Sequence, residues 1–239
     1  MNLGQIVGCL VGGFCGGRWG PRTTVLWSCL PACLAWLGLA LAPSLPVLLA
    51  SRVSCGLAGS LASANCALLV AQYSSDRRRG AWLSLFALMV GLGILLCYSL
   101  GSGLSWRWVA AVPPLLYTLL AAGLGRLPES PVWLLGHRGP VPALAGLAWL
   151  RGPGPHTAEE LARLQQTMEQ QQGGLTLVQA VVNLRRQDVR TPFIIILTNF
   201  FFVMLSGPFA IIFYGVEIFQ DVPGLKGKER QNMSMIFPI

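Results

Sequence analysis

The chain is 239 residues long, 54% hydrophobic and only 11% charged, with a mean hydropathy of +0.60. Ordinary globular domains carry about 25% charged residues, so this composition excludes an ordinary water-soluble domain and argues against soluble catalysis as the primary role. The net charge is +8. The basic residues flank apolar segments instead of covering one face, which is typical of a membrane protein and not of a nucleic-acid-binding one.

Six apolar stretches approach or exceed the roughly 18 residues that a membrane-spanning helix requires. They occupy about 1–17, 24–42, 47–71, 82–104, 108–125 and 193–215. The sequence therefore predicts six helices in a lipid bilayer. The seven cysteines all lie in apolar stretches without metal-ligand spacing, and we interpret them as small buried hydrophobic residues, not as disulfide partners or metal ligands.

Glycine recurs every four residues in the first apolar stretch, at Gly4, Gly8, Gly12, Gly16 and Gly20. This spacing places one glycine stripe along the first helix, so that a neighbouring helix can approach to backbone contact. Two interpretations stay open. The stripe provides static packing, or it provides a smooth interface along which helices slide.

Polar residues inside the spans are few, and such residues are default functional candidates because lipid penalises them. For Asn65 and Asn199, hydrogen bonding between helices and lining of a solute path both stay open. No span carries Asp or Glu in its middle, so a carboxylate proton relay has no carrier here. The two histidines, His137 and His156, lie in the polar segment between spans. We predict no enzyme active site, metal site or cofactor.

The polar segment at 126–191 connects the fifth and sixth spans. Thr157 with Glu160 forms a capping-box pattern, which predicts an amphipathic helix from Ala158. A second helix is predicted at 175–186. The segment is either a linker between helix bundles or a latch against the basic loops.

Basic residues recur in alternate loops, and this alternation predicts the orientation in the membrane. Arg18 and Arg22, the arginines at 77–79 and the connector at 126–191 are expected to be cytoplasmic. The tail at 216–239 has balanced charges and is expected outside. It carries an N-glycosylation sequon at Asn232, which agrees with that orientation.

Several short motifs of the chain form a recognisable set. PESPVWLL at 128–135 is the most specific, and GFCGGRWGPR at 13–22 is the longest. Weaker ones are SRVSCG at 51–56, RG at 79–80, GILLCY at 93–98, WRW at 106–108 and SGPFAIIFY at 206–214. Together they resemble the motifs of the sugar porter family of the major facilitator superfamily, including its PESPRWLL and GxxxDRxGRR. WLRG at 149–152 is similar to the facilitated trehalose type within that family.

The resemblance implies an all-α membrane protein, a partial major facilitator superfamily helix bundle with a cytoplasmic helical connector. Residues 1–125 would form five transmembrane helices of an N-terminal bundle that lacks its first helix. Residues 126–191 would be the connector, 192–215 the first helix of the C-terminal bundle, and 216–239 an external tail. The spans would then be helices two to seven of twelve.

The resemblance also implies a cytoplasmic gate, in which acidic residues pair with loop arginines. The corresponding positions here are Arg18, Arg22, Gln72, Arg79 and Glu129. Gly17 and Gln72 stand where the family has acids, so the resemblance implies fewer partners for Arg18, Arg79 and Glu129, although Glu129 retains the possibility of pairing with a loop arginine.

The solute path implied by the resemblance departs further from the family. Ala87, Val203, Met204 and Phe209 replace amide side chains that bond sugar in the family, so the pocket is expected to be more apolar than a hexose cradle. The full set of path candidates is Ala87, Asn199, Val203, Met204, Ser206, Phe209 and Tyr214.

The function implied is facilitated transport of a sugar, trehalose or hexose-like, or of a related small solute, by alternating access. The chain is expected to be incomplete, to lie in the plasma membrane as a multi-pass protein, and to have a small-molecule solute and the lipid bilayer, but no nucleic acid, as partners. The alternative is a truncated, nontransporting membrane protein that associates with a full-length transporter.

Overall fold

A computed structural model of the chain describes residues 2–75, 77–101, 103–170 and 187–207, and the regular elements in these ranges are all α-helices. The chain divides into two compact units, Met1–Met168 and Glu169–Ile239. The described helices are α1 (Asn2–Trp19), α2 (Pro21–Ala40), α3 (Leu45–Tyr73), α4 (Arg79–Gly101), α5 (Trp106–Gly125), α6 (Pro131–Arg138), α7 (Pro140–Arg151), α8 (Pro155–Gln170) and α9 (Gln187–Leu205).

Helices α2 to α5 are long and apolar enough to cross a membrane by length and composition. They begin two or three residues before the positions predicted from hydropathy. In α2 and α3 a proline lies in the first turn, where its missing amide hydrogen costs nothing. Helix α1 is not among these four. The apolar part of α9, Val189–Leu205, is shorter than the 18 residues that this criterion requires. The predicted span at 193–215 continues past the described residues.

The glycine stripe of α1 packs directly on α3. Gly4, Gly8, Gly12 and Gly16 are buried against α3, whereas Gly13 and Gly17 on another face of α1 are exposed. Gly20 follows the end of α1 and is buried against Glu129 instead. A Cβ atom added at Gly4 would collide with the carbonyl oxygen of Val53, and one at Gly8 with that of Leu57. The prediction that a neighbouring helix approaches to backbone contact is therefore confirmed, and its partner is α3.

Asn65 on α3 joins this interface through its side chain, which is only 2% exposed. Its Nδ2 donates to the carbonyl oxygens of Gly12 on α1, at 3.0 Å, and of Leu61 on α3, at 2.9 Å. Of the two interpretations of Asn65, the geometry favours hydrogen bonding between helices.

We expect Asn65→Leu to lower the free energy of unfolding by about 0.6 kcal/mol and by no more than about 1.7 kcal/mol, the mean and the maximum found for hydrogen bonds between membrane helices. Ser63→Ala on the same helix is the control, because Ser63 is exposed and its hydroxyl bonds only within α3, to the carbonyl of Ser60. Unfolding in detergent should separate the two variants. Equal stability of both would contradict the role assigned to Asn65.

The connector helices form a small core of their own. Leu134 of α6, Ala143 and Leu147 of α7 and Leu161 of α8 are buried together, with Leu164 packed against them. The predicted amphipathic helix is therefore present. Its start was predicted wrongly, because α8 begins at Pro155.

The predicted capping box is also wrong. The Thr157 hydroxyl donates to the carbonyl oxygen of Gly152 at 2.9 Å instead of capping an amide, and Glu160 forms an ion pair with Arg151 at 2.7 Å. Pro155 provides the first turn of α8, because its fixed φ suits that position. The helix predicted at 175–186 lies outside the described residues.

The cysteines only partly match the prediction of buried hydrophobic residues. Cys29 and Cys55 are buried, but Cys9 and Cys97 are exposed on α1 and α4. Helix α4 has no buried residue at all in its described part. Apolar residues exposed on such a helix are suited to contact with lipid tails, which are also apolar, or with further helices.

Candidate functional site: the helix ends around Glu129

The start of α2 presents backbone amides that need an acceptor. Gly20 precedes the helix with φ of 94°, a left-handed conformation that favours glycine, and Pro21 occupies the first turn. Glu129, from the segment before α6, supplies the acceptor. Its Oε1 accepts from the Arg22 amide and its Oε2 from the Thr23 amide, both at 2.9 Å.

Two further donors complete the coordination of this carboxylate. The Thr23 hydroxyl donates to Oε2 at 2.6 Å, and the Ser130 amide donates to Oε1 at 3.0 Å. A negative charge at a helix N-terminus is stabilised both by the amides and by the helix dipole. The expectation that Glu129 would be left with fewer partners is therefore wrong, since it accepts four hydrogen bonds.

Arg22 bridges to a third helix. Its Nε donates to the carbonyl oxygen of Leu124 and its Nη2 to that of Gly125, each at 2.9 Å. These carbonyls lie at the end of α5, where unpaired oxygens and the negative end of the dipole favour a cation. We call this arrangement, consisting of Arg22, Thr23, Glu129 and the end of α5, the Glu129 junction.

The rest of the PESPVWLL motif continues the junction into the connector. The Ser130 hydroxyl accepts from the Trp133 amide at 3.4 Å as the N-cap of α6, and Pro131 opens that helix. The Trp133 indole donates to the carbonyl oxygen of Gly17 at 2.9 Å, and the Tyr73 hydroxyl donates to that of Pro128. The motif thus ties the ends of α1, α2 and α3 to α6.

The other predicted gate residues lie apart from this junction. The Arg79 Nε donates to the carbonyl oxygen of Ala71 at 3.2 Å. Arg79 and Gln72 line a common cleft at the end of α3. Arg18 is exposed near the end of α1. Of the five predicted gate residues, the structure therefore brings Arg22 and Glu129 together in one place and Gln72 and Arg79 in another.

Three of the predicted solute-path residues lie on one side of α9 and of the turn that follows it. Asn199, Val203 and Ser206 line a shallow groove on the helix surface together with Ile194, Ile195, Thr198 and Phe202. Met204 is exposed but does not line this groove. The lining is mainly apolar, with amide and hydroxyl groups at Thr198, Asn199 and Ser206.

Of the remaining path candidates, Ala87 is the one that the structure describes. Ala87 lies on α4, in the other unit, and is exposed. Phe209, Tyr214 and the sequon at Asn232 lie outside the described residues.

Several residues in the Glu129 junction and next to it were not anticipated from the sequence. Thr23 and Trp133 were not singled out, and Arg22 was expected to act through its charge, whereas it contributes a backbone amide as well. Pro21 carried the relevant signal. A proline at the first helical position marks a helix start, and the next amides then need an acceptor from elsewhere in the chain.

Comparison with known proteins gives a consistent result. The family model described as "Sugar (and other) transporter" matches residues 1–236. The facilitated trehalose transporter of Apis mellifera ligustica is 32% identical over 224 residues, covering 92% of this chain and 44% of that protein. The arabinose-proton symporter of Escherichia coli K12 is 32% identical over 190 residues, covering 78% of this chain and 40% of that protein.

The fold agrees with the sequence comparison. The xylose transporter XylE from E. coli, in an inward open conformation, matches with a TM-score of 0.61 at 20% identity, covering 73% of this chain and 45% of that one. This chain spans less than half the length of these relatives. With its apolar helices and its family match over nearly its whole length, the chain is a multi-pass membrane protein that belongs to the sugar (and other) transporter family.

Proposed function

We propose that the protein is a carrier of the sugar porter type, which moves a sugar or a related small solute across the membrane by alternating access. The observation that carries this proposal is the family match over residues 1–236 together with the helix bundle that the same residues form. Alternating access rocks two bundles around a midplane site. The Glu129 junction fits that mechanism because its hydrogen bonds join α2 to the end of α5 and to the start of the connector, as a unit that moves as one piece requires.

The proposed orientation places the Glu129 junction in the cytoplasm and the tail at 216–239 outside. Arg18, Arg22 and the arginines at 77–79 lie on the side of the junction, and such basic loops remain cytoplasmic. This orientation places the Asn232 sequon on the side of the membrane where N-glycans are added, and we propose the plasma membrane as the location of the protein. Protease added to intact cells should then cut the tail and spare Arg151. Cleavage at Arg151 in intact cells would reverse the orientation.

Arg18, Arg22, Gln72, Arg79 and Glu129 belong, in this proposal, to the cytoplasmic gate and not to the solute path. In transporting vesicles, Arg79→Ala should change the turnover number by more than it changes the solute concentration at half-maximal rate, because it shifts an equilibrium between conformations. Arg107→Ala, at the opposite end of the bundle, is the control. A pure change in apparent affinity would place Arg79 in the solute path instead.

The proposed solute is trehalose, a hexose-like sugar or a less hydroxylated relative. The relatives compared above are named for trehalose, arabinose and xylose. The groove of α9, which contains Asn199, Val203 and Ser206, is mainly apolar. Each sugar hydroxyl without a partner would cost about 1–3 kcal/mol, so binding of a fully hydroxylated sugar should be weak.

A substitution on α9 tests this solute assignment. Val203→Gln adds an amide to the groove and should raise sugar uptake, whereas Met204→Gln, outside the groove, should not. Phe209→Asn adds an amide at a second path position proposed from the sequence. The measurement is uptake of labelled glucose and trehalose by vesicles carrying the full-length protein. Tight, saturable glucose uptake that neither Val203→Gln nor Phe209→Asn alters would contradict the apolar pathway.

The second candidate function is a nontransporting membrane protein that pairs with a full-length carrier. The observation in its favour is that the chain covers 44% and 40% of two of its relatives. Co-purification with a full-length carrier, without transport by any product of the gene, would support this alternative.

A further inference from the structure

The outer side of α7 is apolar. Val141 is 77% exposed and Trp149 is 58% exposed, and the exposed positions between them also carry apolar side chains. Their spacing of three, four and eight residues places them on one side of the helix, and the other side enters the connector core. We call this surface the α7 face, which consists of Val141, Leu144, Ala145 and Trp149.

The neighbouring helix α8 exposes a different surface. Its exposed side chains include Glu159, Arg163, Gln166 and Thr167, which is the composition expected of a helix side in water. Single exposed apolar residues are normal on a protein surface, whereas a contiguous apolar patch marks a contact with a protein or a membrane. The contrast between the two helices therefore indicates that the α7 face is not turned to water.

The inner side of α7 is held near the end of a membrane span. A Cβ atom added at Gly146 would lie 3.7 Å from the carbonyl oxygen of Glu129. Glu129 follows Gly125, the last residue of α5, by only four positions, which limits their separation to about 14 Å. Since α5 is long and apolar enough to cross a membrane, α7 lies within reach of the bilayer surface.

The length of α7 suits a helix that lies on a membrane. Its 12 residues give a length of about 18 Å, which is too short to cross a hydrocarbon core of about 30 Å. Trp149 adds to this, because tryptophan is enriched at the boundary between lipid and water.

The charges of α6 and α7 suit an anionic lipid surface. Positions 130–158 contain no Asp or Glu, whereas they contain Arg138 and Arg151. Arg138 is exposed and ends α6 directly before the turn into α7. Arg151 ends α7 and forms an ion pair with Glu160 of α8 at 2.7 Å. Helix α8, in contrast, has three glutamates and one arginine. Basic residues beside an apolar helix face are typical of helices that bind anionic lipids.

We propose that the α7 face lies in the headgroup region of the bilayer, with Val141, Leu144 and Trp149 against the upper acyl chains and Arg138 near anionic phosphates. The proposed orientation makes this the cytoplasmic leaflet, whose lipids are anionic. This lipid contact goes beyond the proposed transport function, because it requires a membrane-spanning chain but no particular solute.

The contact connects the lipid surface to the Glu129 junction. Gly146 packs against Glu129 and Pro131, at the start of α6. A helix α7 that is fixed to the membrane therefore also holds the segment whose carboxylate caps α2. Anionic lipid then favours the conformations in which the connector stays at the bilayer surface.

Depth-dependent fluorescence quenching of the full-length protein in nanodiscs tests the proposal. A genetically encoded fluorescent amino acid replaces Ala145 on the α7 face or, as the matched control, the exposed Ala162 on α8. The quenchers are a lipid spin-labelled on its upper acyl chain and aqueous iodide. The nanodiscs contain phosphatidylcholine alone or with phosphatidylserine.

The expected result is opposite for the two quenchers. Because the apolar side of an interfacial helix lies about 5–10 Å into the headgroup boundary, lipid quenching should be at least about twofold stronger at position 145 than at position 162. Iodide quenching should be at least about twofold weaker at 145, for the same reason. Phosphatidylserine should widen both differences.

Substitutions at exposed positions then locate the contact. Leu144→Glu places a carboxylate in the α7 face and should bring the quenching at position 145 to the level at position 162. Gln166→Glu adds the same charge to the exposed side of α8 and should change nothing. Arg138→Gln should remove the effect of phosphatidylserine. Thermal unfolding of each variant shows that it is folded.

Three results would overturn the proposal. Iodide quenching as strong at 145 as at 162 would place the α7 face in water. Protection from both quenchers would mean that protein covers it, and a photoreactive amino acid at 145 would then show by cross-linking whether that protein is a second copy. Equal quenching with and without phosphatidylserine would exclude anionic lipid. Because uptake is not measured, a failure here is distinguishable from a failure of the transport function.

Discussion

Replacing Glu129 with alanine is expected to lower the free energy of unfolding by about 2–4 kcal/mol. The carboxylate accepts four hydrogen bonds, from the amides of Arg22, Thr23 and Ser130 and from the Thr23 hydroxyl. Without it, the first amides of α2 lose their acceptor and the helix loses the negative charge that its dipole favours. Denaturant-induced unfolding in detergent, followed by circular dichroism, provides the measurement.

Two companion variants make the Glu129 experiment specific. Glu129→Gln keeps one oxygen acceptor, so about half of the loss is expected. Glu169→Ala removes an exposed carboxylate from the connector and should change stability by no more than about 0.5 kcal/mol. If Glu129→Ala were as stable as Glu169→Ala, the junction would not hold α2 as described.

Replacing Gly8 with leucine is expected to destabilise the bundle by about 3 kcal/mol or more. A Cβ atom at Gly8 would collide with the hydroxyl of Ser60 and the carbonyl oxygen of Leu57 on α3. The carbonyl belongs to the backbone of a helix and cannot rotate aside. The two helices must therefore separate, which also breaks the bond from Asn65 to Gly12.

Gly13→Leu is the matched control for Gly8→Leu, because Gly13 lies on the same helix and a Cβ there meets no atom within 4 Å. Since leucine favours helix over glycine by up to about 1 kcal/mol, the control should be neutral or slightly stabilising. Comparable losses in both variants would mean that α1 does not pack on α3 through the glycine stripe.

The same pair of variants separates static packing from sliding. If α1 and α3 form a fixed unit, Gly8→Leu lowers stability and transport falls with the amount of folded protein. If the helices slide during transport, Gly8→Leu also lowers turnover per folded molecule, whereas Gly13→Leu does not. The close approach of α1 to the backbone of α3 at Gly4 and Gly8 favours the fixed unit.

The helices and the glycine contact could be predicted from the sequence because both follow from local patterns. A run of apolar residues predicts a span wherever it occurs, and glycine at every fourth position marks one face whatever the partner. Helix starts were less accurate. Pro21 and Pro155 begin helices through their fixed φ, which a hydropathy pattern does not record.

The partners of Glu129 could not be predicted, because they are set by chain packing over long sequence separations. Arg22 and Thr23 are more than a hundred residues from Glu129, and the interaction uses backbone amides that every sequence has. A pattern of charged side chains suggested an ion pair, whereas the structure uses the carboxylate as a helix cap. The PESPVWLL motif was recognisable in the sequence, but the hydrogen bonds of its carboxylate could be identified only from the fold.

Solute counterflow tests most directly whether the gene encodes a carrier, as we propose. The full-length protein is placed in liposomes preloaded with unlabelled trehalose, and entry of labelled trehalose is followed over time. We expect transient accumulation of label above its equilibrium level, abolished when the preloaded solute is omitted, because a carrier exchanges solute at an alternating site. Counterflow absent for trehalose, arabinose, xylose and glucose alike, from protein shown to be folded, would contradict the account.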